Sequence, residues 1–191
     1  MKRIAVVLVV AVAVLMFAVM LMAQEKTEAP AKVAGHKFIG AQKCKVCHNS
    51  PTKGEQFKKW SESRHAKAFE TLATPAAKEV GAKAGVENPQ TSEKCLICHV
   101  TGATAPAEAK DATFNQTEGV GCEGCHGAGS DYKDMKTMKS RELSFAAGLT
   151  IPDEKTCISC HNEKSPTFKE FKYAEFWAKI DHSYPEEKKA E

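Results

Sequence analysis

One frame occurs four times in this chain: Cys-x-x-Cys-His, as "CKVCH" at 44–48, "CLICH" at 95–99, "CEGCH" at 122–126 and "CISCH" at 157–161. It uses all eight cysteines and four of the seven histidines, so any fold must account for every copy. Disulfides suit an exported chain, but they give no reason for a histidine after each second cysteine. Zinc accepts Cys and His ligands and leaves the fixed adjacency equally unexplained. A thioredoxin-type redox pair needs one motif beside a βαβ pattern, and none is present. With seven histidines in 191 residues, four placed this way by accident have odds on the order of one in a few hundred thousand.

The frame is that of covalent c-type haem attachment. Two residues between the cysteines, on the opening turn of a short helix, let both sulfurs reach the vinyl groups of one porphyrin. The next residue then brings its imidazole to the iron as proximal ligand. The eight thioether positions are Cys44, Cys47, Cys95, Cys98, Cys122, Cys125, Cys157 and Cys160, and the proximal ligands are His48, His99, His126 and His161. Four covalent haems, with their iron, are therefore expected. They also explain the scarcity of core-forming residues, since the apolar groups come in short pieces and a chain of this kind would otherwise struggle to close an interior.

Lys2 and Arg3 precede an uncharged apolar run at 4–23, and polar "QEKTEAP" follows. Residues 1–23 read as a secretory signal peptide. The run is long and Leu21 fits the cleavage site poorly, so an uncleaved membrane anchor is the second reading. Residues 24–35, rich in Ala, Lys, Glu and Thr, read as a flexible leader, and 36–191 as a single tetrahaem domain. The expected location is the periplasm, with membrane anchorage or the cell surface as variants. Without Lys2 and Arg3 the chain has 25 basic and 24 acidic residues, a balance that argues against nucleic-acid binding.

The gaps between motifs are 46, 22 and 30 residues, too irregular for a solenoid. The fold class is mainly α with much irregular structure, a compact cytochrome wrapped around its haems. Apolar residues three and four apart over 57–72 predict one amphipathic helix. A second short helix is expected at 78–84 and a C-terminal one at 167–179. Residues 101–121 read as loop with room for a short strand pair, and no long strand is expected.

His36, His65 and His182 remain as candidates for the distal face of an iron, where a six-coordinate haem needs a second strong ligand. His65 falls on the apolar face of the expected helix beside Phe69, and His182 lies between the C-terminal helix and Pro185. His36 is eight residues before Cys44, a short reach that points to another haem or a neighbouring subunit. Three histidines cannot serve four irons. One haem is five-coordinate, or borrows a ligand, or takes Met135 or Met138 from the lysine-rich "SDYKDMKTMKS".

The blocks "KCKVCH" with "KKWSESRHAKAFETL", then "KCLICHVTG", "GVGCEGCHGAGSDY" and "TCISCHNEKSP" together resemble the tetrahaem cytochrome c-554 family. The resemblance implies a periplasmic electron acceptor serving hydroxylamine oxidation. It makes His65 a distal ligand and His182 the C-terminal one, and leaves the haem on Cys95, Cys98 and His99 without a strong sixth ligand. The family also has a distal histidine shortly after the third motif. This chain has Met135 and Met138 there, so His36 is the candidate for the vacated role and the pairing of the haem on His48 is open.

The favoured function is electron transfer between redox protein donors and acceptors through closely packed, mostly bis-histidine haems. Two alternatives accompany it. One is reduction of a small nitrogen oxide or hydroxylamine at an open haem on His99, and the other is a subunit of an extracellular cytochrome filament.

Overall fold

The computed structural model describes residues 35–184, which are almost entirely helix and loop. The apolar run at 1–23 and nearly all of the leader lie outside the described residues. Ten short helices follow one another: α1 (Ala41–His48), α2 (Gln56–Glu62), α3 (Ala68–Thr71), α4 (Pro75–Lys83), α5 (Glu93–His99), α6 (Glu123–His126), α7 (Met135–Met138), α8 (Arg141–Ala146), α9 (Glu154–Ile158) and α10 (Tyr173–Ile180). Single 3-10 turns lie at Pro51–Lys53, Ala107–Ala109 and Gln116–Glu118. Among the described residues there is no strand, only one parallel bridge between Phe38 and Lys110. The strand pair expected within 101–121 is absent; Lys110 finds its bridge partner 72 residues upstream.

The motifs define where helices end. The first two occupy the final turns of α1 and α5, which stop at His48 and His99. In the third, Cys122 caps the four-residue α6, and in the fourth α9 holds Cys157 while Cys160 and His161 lie just past it. The opening-turn placement expected from the spacing is thus reversed for the first two motifs. Ending the helix at the histidine lets the chain turn away, as at Val100, where the backbone is extended (φ −143°).

The helix expected over 57–72 is broken. α2 ends at Glu62, Ser63 is extended, and α3 begins only at Ala68. Apolar spacing continues through the break, but the backbone does not, because the carbonyl of His65 accepts from Val120 N–H at 2.9 Å. His65 therefore lies in the break rather than on a helix face. The C-terminal helix starts at Tyr173, six residues later than expected, while α4 extends its expected span to Pro75, helped by the Thr74 side chain capping Ala77 N–H.

Buried apolar residues are few: Ile39, Ala41, Phe57, Leu72, Val86, Val100 and Tyr132. Phe57 stacks obliquely on Trp60 at 5.2 Å, and Lys45 of α1 lies over the Phe57 ring. Trp60 donates its indole N–H to Val120 O at 2.8 Å, joining α2 to the strap before the third motif.

Candidate haem-binding sites

The histidines come together in twos. The rings of His65 and His161 are 6.1 Å apart, centre to centre, and inclined by 69°. Those of His126 and His182 are 6.0 Å apart and inclined by 77°. Two imidazoles bound from opposite sides of one metal, each nitrogen about 2 Å from it, put ring centres about 6 Å apart. Both spacings fit an iron between the rings. Among the described residues no group of three or more His, Cys, Asp or Glu side chains converges as a cage for a bare ion.

Three of the histidine rings are held by the nitrogen Nδ1. His126 Nδ1 lies 3.0 Å from Thr150 O, His182 Nδ1 is 2.8 Å from Ile180 O, and His99 Nδ1 is 2.8 Å from Ala68 O. A carbonyl can only accept, so Nδ1 carries the proton and Nε2 is the nitrogen left to bind, the usual arrangement for a metal-bound histidine. His161 instead stacks on Phe171 at 4.8 Å, and Phe171 in turn on Phe176 of α10. Burial lowers the pKa of His65, His126, His161 and His48, with Lys53 and His182 adding to the effect at His48. Neutral imidazole is the form that binds metal.

No two of the eight cysteines form a disulfide, and they meet across motifs. Cys44 and Cys122 interact, which lowers the pKa of Cys44 and raises that of Cys122. Burial, together with Cys160, pushes the Cys98 thiol up to about 11. Cys125 is raised by burial and by its neighbours Cys157 and Cys160. The fold thus sets the first motif beside the third, the second beside the fourth, and the third beside the fourth.

Several residues that hold this arrangement escaped the sequence reading. Glu123, inside the third motif, is buried, 5% exposed. It accepts from Ile39 N–H at 2.9 Å, Gly40 N–H at 2.8 Å and Gly129 N–H at 2.7 Å. Glu118 accepts from Ala41 N–H at 2.7 Å. Two carboxylates from the third-motif strap therefore satisfy the amides opening α1, where the helix dipole favours negative charge. The visible signal was Glu123 itself, an acid at a motif position occupied elsewhere by Lys45, Leu96 and Ile158.

Gly119 explains part of the glycine-rich run. Its φ is +71°, and a Cβ there would stand 2.6 Å from His65 O. Only glycine lets the strap lie against the backbone that carries His65. Tyr132 donates its hydroxyl to Gly127 O at 2.6 Å, and Thr150 donates N–H to His126 O at 2.9 Å. Met135 is 63% exposed on α7 and Met138 is half-buried. His36 sits 2.9 Å from Asp131 Oδ2.

Residues 43–127, spanning the first three motifs, match the family model described as cytochrome c554 and c-prime. A curated relative, cytochrome c-554 of Nitrosomonas europaea, is 29% identical over 177 residues, covering 83% of this chain and 73% of that protein. Both matches support the cytochrome c-554 family for this chain. Its CxxCH frames are the attachment chemistry of c-type cytochromes, which hold haem covalently. No solved structure matches the chain. Within the c-554 family assignment, the fourth motif and His182 lie beyond the residues matched by the family model.

Proposed function

We propose that the chain is an exported tetrahaem electron carrier, with the haem on His161 taking His65 as second ligand and the haem on His126 taking His182. The observation that carries this reading is the pair of His–His spacings at 6.1 and 6.0 Å. Bound haem supplies a one-electron iron couple, whose potential follows its axial ligands and burial. The chain supplies binding and position. Thr150 and Ile180 fix the Nδ1 protons of His126 and His182, while Phe171, itself stacked on Phe176, covers one face of the His161 ring. The cross-motif meeting of Cys44 with Cys122 and of Cys98 with Cys160 brings the haem-bearing edges close, as multi-electron relay requires. Its partners are redox proteins that donate and accept electrons, and the charged start and apolar run at 2–23 support export to the periplasm or retention at its membrane.

A second reading, reduction of a small nitrogen oxide or hydroxylamine at the haem on His99, has one observation in its favour: the His–His ring pairs among the described residues, 65 with 161 and 126 with 182, include neither His99 nor His48. Carbon monoxide binding by the ferrous protein, followed by turnover, separates an open haem from a working one.

The carrier reading is tested with the mature protein by haem content and low-temperature EPR. Four haems per chain are expected, with at least two low-spin signals, and H65A should convert one of these to high spin. Retention of every low-spin signal in H65A overturns the pairing.

A further inference from the structure

The two facing histidine pairs are held by different means. In one, His126 and His182 each direct Nδ1 to a backbone carbonyl, Thr150 O at 3.0 Å and Ile180 O at 2.8 Å, and the rings stand at 77° to each other. Such a bond on the far nitrogen fixes a ligating ring's orientation. In the other pair the rings of His65 and His161 stand at 69°, yet among the described residues neither imidazole has a hydrogen-bond partner. Their backbones are pinned instead. His65 O accepts from Val120 N–H at 2.9 Å and Ala68 N–H at 3.1 Å. His161 N–H donates to Cys157 O at 3.0 Å, and the Asn162 side chain, just after it, donates to Ile158 O at 2.8 Å and Ser159 O at 2.9 Å. These bonds place the chain and leave the His161 ring free to turn.

An aromatic column stops it. Half-buried Phe171 lies against the face of His161, with ring centres 4.8 Å apart and planes within 18°. Behind it stands Phe176 of α10, at 5.1 Å and 22°. Lys179, one turn further along α10, closes the column with Nζ 4.6 Å from the centre of the Phe176 ring. Near-parallel rings at these spacings attract one another as offset stacks. Turning the imidazole would drive its edge into Phe171, and Phe171 cannot retreat because Phe176 is behind it.

We infer that Phe171 is a positioning residue for His161, holding its ring by stacking at a steep angle to His65, with Phe176 and Lys179 as its support. This rests on the proposed reading in which His65 and His161 ligate one haem iron, and names what sets their angle.

The angle between two axial imidazoles governs the EPR signal of low-spin ferric haem. Steeply inclined planes leave two iron d orbitals close in energy and give one strongly anisotropic line at high g. Planes near parallel separate those orbitals and give a three-line rhombic spectrum. The experiment is EPR of the oxidised, haem-loaded full chain, in which the signal of this pair is the one lost in H65A. F171L keeps apolar bulk without a flat face, and should broaden that line and move it to lower g. Haem content, the number of low-spin haems and the other signals should stay as they are. F171Y and F171W, which keep a flat ring, should hold the line in place, and F176L should give a smaller shift in the same direction. If F171L leaves the line where it is, Phe171 only covers the ring and the positioning role falls, while the pairing stands on H65A. If F171L shifts every signal alike, the side chain acts on the fold as a whole and the inference is overturned. Where F171L does not mature, F176L decides: a shift confined to this line supports the column, and an unmoved line overturns it. If H65A removes no low-spin signal, the pairing itself falls.

Discussion

At Glu123 one side chain carries the contact between two haem-attachment motifs. Its carboxylate is buried and accepts three backbone N–H groups, from Ile39, Gly40 and Gly129. Two of these belong to the chain opening α1 and the third to the turn after α6. A charged acceptor strengthens each bond, and a donor left without its partner in a buried site costs more than the bond itself was worth. Gln at 123 keeps the shape but turns one acceptor into a donor facing N–H groups. E123Q should therefore lose about 1–3 kcal/mol of unfolding free energy, read by denaturant titration of the haem-loaded protein. Glu123→Ala, which removes both oxygens, should lose at least as much. A variant as stable as the parent would show that water replaces the carboxylate without cost.

At the level of elements, the helices are short because each motif ends or interrupts one, and little remains for helix propensity to decide. The CxxCH frames were legible because attachment chemistry fixes neighbours along the chain. Pairing was not, since His65 and His161 are 96 residues apart and nothing local encodes which rings will face each other. The break at Ser63 was hidden for a similar reason: apolar spacing runs on through 57–72, and the interruption is imposed from outside by Gly119 and Val120 docking on His65 O. Only where an end signal is local does an element reveal its start. Asp153 opens α9 with a capping box, accepting from Thr156 N–H at 3.0 Å while Thr156 Oγ1 accepts from Asp153 N–H. Those bonds, led by the Thr156 backbone N–H, hold the Asp153 carboxyl below its ordinary 3.8. The unfolded chain then binds more protons than the folded one as pH falls through this range. The cap's contribution is complete above about pH 4 and is lost as pH drops through the lowered value. D153N should flatten that part of the stability profile between pH 5 and 2, measured by thermal unfolding across the range, and an unchanged acid limb would remove the cap from the account.

The whole molecule has too little interior of its own. Seven buried apolar residues serve 150 described ones, and burial of so few side chains cannot offset the entropy of ordering that much backbone. Large apolar groups meanwhile stand exposed at the attachment sites, Val46 at 84% and Ile97 at 57%, each between the two cysteines of its motif. Both facts follow if the missing apolar surface belongs to the cofactor: porphyrins held by Cys44 and Cys47, or Cys95 and Cys98, would lie against the helices that now expose those residues. Folding and haem attachment are then linked, because a covalently held porphyrin buries its apolar surface only when the chain folds around it. The apo-chain, made without haem attachment, should show markedly reduced helical circular dichroism and no cooperative thermal transition, while the loaded protein unfolds in one. Motif deletions should grade the effect. C122A/C125A, which removes the haem at the contact between α6 and α1, should destabilise the remainder more than C157A/C160A, whose α9 is joined to the rest through fewer buried amides. An apo-chain that melts cooperatively near the temperature of the loaded protein would mean that the seven-residue core and the Glu123 and Glu118 clamps suffice, and that haem is a passenger in the fold rather than its interior.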